Sequence, residues 1–433
     1  MMNSLSLLEY ESRAFDDMPD LIATQLQTPI FADGLERFLN KLGLKDAIYI
    51  GRRGIRAANF VGIIKYKNIQ IEILPKMLAK DCFQREQTLK NLMFMLGYTK
   101  QLNIKHTNLA FLGNRANGFI ETLIRIYAQG LFDALKYTIP KDYVRMTENL
   151  NCVRGKLNLT QHIRTNCANQ ARFYCGFDEF SEDNLLNQMF LFVSTQLCAI
   201  TKDAKTKKLL RFIINNYADI SWRHIKVCDV DKLCLNRNQK CFETPFLLAK
   251  LFLGNMSVDL SQPSADNIAL MWDMNTLFEE FVFEFIKRNK SEIDKNITID
   301  YQKGRRLLCR KGMGKKYGNT YVDIFVKTPN VPGGIVLDTK YKLSSRFDNS
   351  DVFQVVTYCF IHQSNNAVLL YPGTDKCDAI EGEYYLNMDP QTENTPTVQM
   401  ATIDLTNDLS QKNVQDEIIK KLKEILCGNN TIS

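Results

Sequence analysis

The sequence predicts a mixed α/β (α+β) protein with a β-rich N-terminal region, a mainly helical middle region and a C-terminal region in which helices and strands alternate. The chain has 433 residues, more than one hydrophobic core usually serves, so two or three domains are expected. Residues 69–74 (IQIEIL) alternate apolar and polar side chains as a half-buried strand does, whereas residues 184–201 carry apolar side chains at helical spacing. Hydrophobic residues make up 45% of the chain and charged residues 24%, the balance of an ordered globular protein.

The first two regions are predicted to be residues 1–139 and 140–266. Apolar runs and helical spacing predict strands at 48–50, 60–64 and 69–74 and helices at 88–96 and 119–135 in the first region, and helices at 184–201 and 205–217 in the second. A turn-rich break at 261–266 (SQPSAD) marks the boundary with the third region.

The third region, 267–433, is predicted to begin with a helix and to continue with a run of strands. The predicted elements are helices at 268–287, 351–362 and 414–426, and strands at 297–302, 306–310, 320–327, 335–341, 367–371, 383–388 and 397–404. Helix, meandering strands, helix and strand in this order predict a mixed α/β domain.

Charge and cysteine usage limit the class of protein. The net charge of +7 permits a nucleic-acid partner without proving one. The twelve cysteines form no CxxC pair, residues 1–9 do not resemble a signal peptide, and no run reaches the ~18 apolar residues of a membrane span. We therefore expect a cytoplasmic protein with reduced thiols and no membrane partner.

One group of potential metal ligands is spaced too loosely to predict a zinc site. His224, Cys228, Cys234 and Cys241 lie close in sequence. Zinc ligands usually come as pairs two to four residues apart, so buried or surface thiols are the favoured interpretation.

The strongest chemical signal lies in residues 321–342 (YVDIFVKTPNVPGGIVLDTKYK). Successive side chains of a strand point to opposite faces, so Asp338 and Lys340 share a face of the second strand of this run. Two prolines and two glycines in 328–334 allow the chain to turn back as a hairpin. Asp323 is then expected opposite or near Asp338.

Two carboxylates and a lysine within apolar strands are costly to bury unless they pair or bind a metal. Mg²⁺ prefers one or two carboxylates with water and phosphate oxygens, so Mg²⁺ between Asp323 and Asp338 would explain the pattern. Lys340 would then steer or deprotonate the attacking water and offset charge on the phosphate. The spacing alone leaves open a structural salt bridge, because D-x-K often occurs by chance.

Two helices add candidate residues to this site. Gln354 and Tyr358 lie four apart and thus on one face of the helix at 351–362. On the earlier helix, in the run NTLFEEFVFEFI (275–286), Glu279, Glu280 and Glu284 accompany an apolar stripe, and one of them could reach the metal. For Glu280 and Glu284 we expect a solvated acidic face instead.

The order of these motifs resembles the PD-(D/E)xK nuclease superfamily, and the Q-x-x-x-Y helix is typical of its RecB-like branch. More narrowly, the chain resembles the McrC family, the nuclease subunits of McrBC-type 5-methylcytosine-dependent restriction systems. The runs that carry this resemblance are NFVGIIKYKNIQIEILPKM (59–77), VRGKLNLTQHI (153–163), FDEFSEDNLLNQM (177–189), TLFEEFV (276–282), LDTKYK (337–342), DVFQVVTY (351–358) and AVLLYP (367–372).

The resemblance implies a restriction-endonuclease-like domain at 267–433 with Asp323, Asp338 and Lys340 in the active site. It also implies that Gln354 and Tyr358 contact DNA and support this site, and it favours Glu279 as a further metal ligand. The superfamily's first motif often reads Pro-Asp, whereas Val322 precedes Asp323 here. That proline carries no chemistry, so its loss costs little.

The resemblance also implies a partner. In McrC-like systems a separate AAA+ GTPase, McrB, forms rings, recognises methylated double-stranded DNA and translocates, while McrC docks on the ring, stimulates GTP hydrolysis and cuts. This chain has no GxxxxGK(S/T) phosphate loop, so GTP is expected on the partner. Residues 1–139 and the middle region would then dock, and cutting both strands implies two nuclease sites brought together through the complex.

A basic segment directly precedes Asp323 and is expected to contact DNA phosphates. Its cations are Lys303, Arg305, Arg306, Arg310, Lys311, Lys315 and Lys316, with glycines interleaved. Such contacts position the duplex without reading its sequence. A solvated, flexible turn is the alternative.

Two other functions remain open from the sequence. A degenerate nuclease fold could serve only as an adaptor that stimulates the GTPase, although Asp323, Asp338 and Lys340 are all present. A stand-alone RecB-like repair exonuclease would carry the same motifs, and the absence of a neighbouring AAA+ GTPase gene would favour it.

Overall fold

The structure, a computed structural model, describes residues 3–78, 84–99, 118–169, 171–257, 267–309, 316–342, 348–373, 381–387 and 395–427. Contacts group the chain into two compact units, Met1–Ala116 with Ala269–Ser433, and Asn117–Ile268. This grouping joins the predicted first and third regions and places the helix at 119–135 with the middle region. The predicted docking role of residues 1–139 stays a prediction.

The N-terminal part of the first unit contains the strands and the helix that the sequence predicts at 48–50, 60–64, 69–74 and 88–96. Its elements are β1 (Asn3–Leu8), β2 (Ser12–Ala14), α1 (Asp20–Gln27), α2 (Pro29–Lys41), β3 (Ile48–Ile50), β4 (Gly54–Ala57), β5 (Phe60–Tyr66), β6 (Ile69–Leu74) and α3 (Arg85–Leu96). Strand β6 pairs antiparallel with β5 and parallel with β1. The apolar faces of α1 and α2 pack with these strands in one core.

The second unit contains a small sheet that the sequence does not predict. Its elements are α4 (Phe119–Leu135), β7 (Asp142–Leu150), β8 (Lys156–Leu157), α5 (Leu159–Asn166), β9 (Phe173–Ser181), α6 (Leu185–Ile200), α7 (Ala204–Asn216), α8 (Val227–Val230), α9 (Glu243–Asn255) and β10 (Met256–Ser257). Strand β9 pairs with both β7 and β8. Most side chains of β7 are exposed or half-buried on both faces, so no apolar alternation announces the strand.

Helices α6 and α7 confirm the predicted helices of the middle region. Inside this unit the hydroxyl of Tyr127 on α4 bonds to Ser194 on α6 (2.9 Å) and donates to the Phe190 carbonyl (3.2 Å). These buried contacts explain why α4 packs with the middle region. The predicted boundary at 261–266 lies outside the described residues.

The C-terminal part corrects the predicted helix at 268–287. Its elements are β11 (Asn267–Asp273), α10 (Met274–Arg288), α11 (Lys290–Ile293), β12 (Thr298–Cys309), β13 (Lys316–Thr328), β14 (Val331–Thr339), α12 (Asn349–His362), β15 (Asn366–Gly373), β16 (Gly382–Tyr385), β17 (Thr397–Asp404) and α13 (Lys412–Cys427). The first residues form a strand beside β5 in its sheet. The helix begins only after Asp273, whose side chain accepts from the Thr276 N–H as a cap (3.0 Å).

A mixed sheet of order β12-β13-β14-β15-β17-β16 forms the centre of this part. Its first two strand pairs are antiparallel, and β14, β15 and β17 run parallel. The two predicted strands at 297–302 and 306–310 are one continuous strand, β12. Helix α12 packs on the sheet through Val355 and Cys359.

The two ends of the chain contribute to the same unit. The buried side-chain amide of Asn91 donates to the Leu405 carbonyl (2.8 Å), and its oxygen accepts from the Leu409 N–H (3.1 Å). The fully buried carboxylate of Glu9 accepts from the Lys76 N–H (2.7 Å) and from the Tyr341 hydroxyl (3.0 Å). None of the described helices is long and apolar enough to cross a membrane.

Candidate active site

The hairpin β13–β14 brings Asp323 and Asp338 together as the sequence predicts. Ile324 pairs with Leu337, so the next position in this antiparallel register sets Asp323 opposite Asp338. Gly333 and Gly334, near the start of β14, adopt the left-handed conformation that favours glycine, φ +83° and +80°, beside a register shift between Val326 and Thr328.

Asp338 is a buried carboxylate without regular hydrogen bonds. Its side chain is fully buried, and Lys340 Nζ lies 2.6 Å from Oδ2. Among the described residues no donor makes a hydrogen bond of regular geometry to either carboxylate oxygen. Such an orphaned anion is costly, since desolvation is only partly offset by one ion pair. Oδ1 and Oδ2 therefore suit a ligand that supplies positive charge.

Asp323 is held by the neighbouring strand. Its Oδ2 accepts from the backbone N–H of Thr339 (2.9 Å) and from the Thr339 hydroxyl (3.2 Å). Burial raises the pKa of Asp323, and these hydrogen bonds partly oppose the shift. The carboxylate is thus fixed in orientation beside Asp338.

Helix α12 orients Lys340 through a chain of side chains. Lys340 Nζ donates to Gln354 Oε1 (3.0 Å), and Gln354 Nε2 donates to the Tyr358 hydroxyl (2.8 Å). Burial is the largest single influence and lowers the pKa of Lys340, but Asp338, Asp351 and Asp323 together outweigh burial and bring the pKa above its ordinary value. Lys340 is therefore a cation at neutral pH. Gln354 bonds to Lys340 rather than to the aspartates, and Tyr358 bonds to Gln354.

Glu279 on α10 faces the aspartate pair from a second direction. Burial first, and then the charge of Asp323, raise its pKa to about 7. Gln302 Nε2 donates to Glu279 Oε1 (3.3 Å), and Gln302 has a left-handed φ of +45°. A non-glycine residue in this conformation costs on the order of 1 kcal/mol and often marks a functional site. Sequence reasoning missed Gln302, because nothing in its neighbourhood signals the backbone conformation.

The other two glutamates of α10 differ from the prediction of a solvated acidic face. Glu284 is buried, at 9% exposure, and pairs with Lys287 (2.9 Å) and Arg288 (3.9 Å). Glu280 is half-buried. The prediction is wrong for Glu284 because cations in the last turn of its own helix offset the cost of burying its charge.

The sequence also missed Asp351 and Lys342. Asp351, in the first turn of α12, is buried and lies 2.5 Å from Lys342 Nζ and 4.0 Å from Lys340 Nζ. The hydroxyl of Tyr371 donates to Asp351 Oδ2 (3.5 Å). Acidic residues are common at exposed helix N-termini, so neither the type nor the position of Asp351 indicated that it would be a buried part of the site.

The acidic groups repel each other in the metal-free protein. Burial first, and then the charge of Asp323, raise the pKa of Asp338 to about 7, although Lys340 opposes the shift. In the described residues no three His, Cys, Asp or Glu side chains cluster as a metal cage, and this includes His224, Cys228, Cys234 and Cys241. Mg²⁺ needs only one or two carboxylates. The unpartnered oxygens of Asp338 beside Asp323 fit that requirement.

We expect the metal-free protein to lose stability as pH rises from about 4 to about 7. Asp338 binds its proton more tightly when folded (pKa about 7) than when unfolded (~3.9), so its contribution is lost on deprotonation, and Glu279 acts in the same direction. Asp338→Asn should raise the free energy of unfolding at pH 8 by ~2 kcal/mol and change it little at pH 4.

Urea unfolding of EDTA-treated protein at pH 4 and 8 would measure this effect. The exposed Asp416→Asn is the matched control and should leave the pH dependence unchanged. A variant at Asp338 that is no more stable than the parent at pH 8 would contradict the repulsion.

The predicted DNA-contacting cations lie partly within the described residues. Arg305 and Arg306 are exposed on β12; Arg305 Nη1 donates to the Ile361 carbonyl (2.8 Å), and Arg306 Nη1 donates to Asn319 (2.5 Å). Lys316 begins β13, while its side chain and all of Arg310, Lys311 and Lys315 lie outside the described residues.

Fold and site together define a mixed α/β protein that brings two aspartates and a lysine together on adjacent strands, with a glutamate on a helix facing them. Residues 55–372 match the family model described as McrBC 5-methylcytosine restriction system component. The chain therefore belongs to this family, which confirms the resemblance predicted from the sequence.

Individual relatives agree with this assignment. The chain is 20% identical over 327 residues, 69% of its length and 89% of the relative's, to the type IV methyl-directed restriction enzyme EcoKMcrBC of Escherichia coli (strain K12). A chain in the refined half-complex from the tetradecameric assembly of Thermococcus gammatolerans McrB AAA+ hexamers with bound McrC is similar with a TM-score of 0.72 and 20% identity. That alignment covers 98% of this chain and 100% of the other.

A chain in the cryo-EM structure of the Thermococcus gammatolerans McrBC complex gives a TM-score of 0.52 with 24% identity. Here the alignment covers 66% of this chain and 88% of the other. The fold is thus shared with solved components of McrBC assemblies.

Proposed function

We propose that this chain is the Mg²⁺-dependent DNA-cutting subunit of a modification-dependent restriction complex. The observation that carries the proposal is the buried Asp338 carboxylate, which lies opposite Asp323 and lacks hydrogen-bond donors among the described residues other than the nearby Lys340 ammonium. A site of this kind on a member of the McrBC family fits phosphodiester hydrolysis better than a structural salt bridge.

Asp323 and Asp338 would hold Mg²⁺, with Glu279 as the further carboxylate on the α10 side. When bound, the ion would supply Lewis-acid activation of the phosphate and a lower pKa for a water molecule. Thr339 fixes Asp323 for this role through two hydrogen bonds.

Lys340 would orient the attacking water and offset the negative charge that develops on the phosphate. Of the two roles predicted for this lysine, its raised pKa favours charge stabilisation over deprotonation of the water. Gln354 holds the ammonium in place, and Tyr358 holds the Gln354 amide. Both are positioning residues in this mechanism.

We further propose that the chain binds a McrB-like AAA+ GTPase ring, which would carry the GTP and recognise methylated double-stranded DNA. Support comes from the shared fold with a chain of an assembly that contains McrB AAA+ hexamers with bound McrC. Incubation with such a partner, GTP, Mg²⁺ and methylated duplex should give double-strand cuts. Cutting that persists in EDTA would contradict the proposed chemistry.

The cations that precede Asp323 in the chain should govern the salt dependence of DNA binding. Replacing Arg305, Arg306 and Lys315 with glutamine should weaken binding to all sequences, because each phosphate contact releases counterions. The slope of log K against log salt should fall by about 3. Fluorescence anisotropy on unrelated duplexes measures both quantities.

The matched control for this experiment is the triple replacement of Lys205, Lys207 and Lys208 on α7. It removes the same charge from the other unit of the chain. An equal change of slope in both triple variants would mean that only net charge matters.

A further inference from the structure

An open cleft of about 410 Å³ lies at the turn end of the β13–β14 hairpin. Gly334 in its wall and Asp338 in the candidate active site are four residues apart on β14, or about 13 Å at the rise of a strand. Helix α12 spans the same distance, with Gln354 near the active site and His362 in the cleft. The cleft and the aspartates therefore lie along one hairpin and one helix.

His362 is the least satisfied polar group of the cleft. Its side chain is 5% exposed, and neither ring nitrogen has a hydrogen-bond partner among the described residues. Its ring packs on Phe325 with 5.3 Å between centroids. Burial, and then Arg305 and Lys303, lower the pKa of His362 to about 4, so it is neutral at pH 7 and keeps one N–H to donate. A buried donor without an acceptor destabilises the protein, and an outside ligand that accepts from it could remove this cost.

Three cations surround this histidine. Lys303 Nζ lies 4.2 Å from the Phe325 ring centroid and 2.8 Å from Asp300 Oδ2. Arg305 is the second of these cations. Lys327 is the third; it is exposed and makes no ion pair with another described residue. Three positive charges face one carboxylate, so the cleft has an excess of positive charge.

The C-terminus of α12 is the negative end of a helix dipole and opposes an anion here. Two of its last carbonyls are already occupied: Ile361 O accepts from Arg305 (2.8 Å), and Cys359 O accepts from the Ser364 N–H (3.0 Å). Lys327 takes no part in this capping. The cleft therefore holds more positive charge than is needed to cap the C-terminus of α12.

We propose that the cleft is a second phosphate-binding subsite, which holds a DNA backbone phosphate about two nucleotides from the phosphate that is cut. The separation follows from the ~13 Å between the two places, because successive phosphates of one strand wind around the helix as well as rising ~3.4 Å along its axis and so lie ~7 Å apart through space. The assignment rests on the proposed nuclease function. Lys303, Arg305 and Lys327 would neutralise the phosphate, and His362 would donate to one of its oxygens.

Interference mapping tests the position of the subsite. Duplexes that carry one neutral methylphosphonate at a random linkage are cut by the complete complex with GTP and Mg²⁺, and the products are sequenced. In wild-type cuts the neutral linkage should be depleted about five-fold near the second nucleotide from the cut. Lys327→Gln should lose this depletion, whereas the exposed Lys420→Gln on α13 should keep it. Cutting without depletion at that distance overturns the subsite.

The salt dependence of duplex binding by the full chain gives a second readout that needs no cutting. In Ca²⁺, Lys327→Gln should lower the slope of log K against log salt by about 0.9, the loss of one phosphate contact, and Lys420→Gln should not. An unchanged slope for Lys327→Gln overturns the proposal even if cutting fails. Absence of cutting by the wild-type complex, with the slope change present, contradicts only the proposed nuclease function.

Discussion

Asp338→Asn is expected to reduce DNA cleavage by ~10³-fold or more, because it removes one of the two carboxylates proposed to hold Mg²⁺. The side chain keeps its size, and the loss of a buried charge should leave the protein at least as stable at pH 8. The variant thus separates activity from folding. Single-turnover cleavage with partner, GTP and saturating Mg²⁺ measures the effect.

Asp416→Asn serves as the matched control for this experiment, because it removes an exposed carboxylate on α13. It should cut at the wild-type rate. A rate for Asp338→Asn within a few-fold of wild type would remove the proposed site, and with it the interpretation of the hairpin.

Lys340→Met is expected to lower the single-turnover rate by ~10²-fold or more, because the ammonium that offsets charge on the phosphate is lost. It should also destabilise the metal-free protein at pH 8 by ~3 kcal/mol, since Asp338 would remain buried without its counter-charge. At pH 4, where the Asp338 carboxyl carries a proton, the destabilisation should nearly vanish.

The double variant Asp338→Asn with Lys340→Met distinguishes charge from packing. If charge is responsible, the second replacement costs little stability once the aspartate is neutral, and the two single effects are not additive. Equal destabilisation in both backgrounds would show that Lys340 acts through the packing of its methylenes.

The core of the candidate site could be predicted because strand geometry is local. Side chains alternate along a strand, so Asp338 and Lys340 were placed on one face, and the turn residues of 328–334 implied the pairing of Asp323 with Asp338. The helical spacing likewise placed Gln354 and Tyr358 on one face of the helix, and the structure shows a hydrogen bond between them (2.8 Å). The cofactor and the catalytic roles stay predictions.

Features that depend on distant partners could not be predicted. Strand β1 forms because it pairs with β6, more than sixty residues away. The first residues of the predicted helix at 268–287 form β11 because they pair with β5 in the same sheet. Strands β7 and β9 lack an apolar face that would reveal them. Asp351, Lys342 and Gln302 were missed for the same reason, since their roles follow from neighbours in space.

The buried amide of Asn91 has a consequence for synthesis on the ribosome. Asn91 is made early, but the carbonyl of Leu405 that accepts from it is made 314 residues later. A nascent chain can therefore already contain both aspartates and the lysine while the Asn91 amide still lacks the Leu405 and Asn407 carbonyls and has only the Leu78 carbonyl as an acceptor. Folding of the unit is thus expected to be completed only near the end of translation, which disfavours a finished Asp323–Asp338 site in prematurely terminated products.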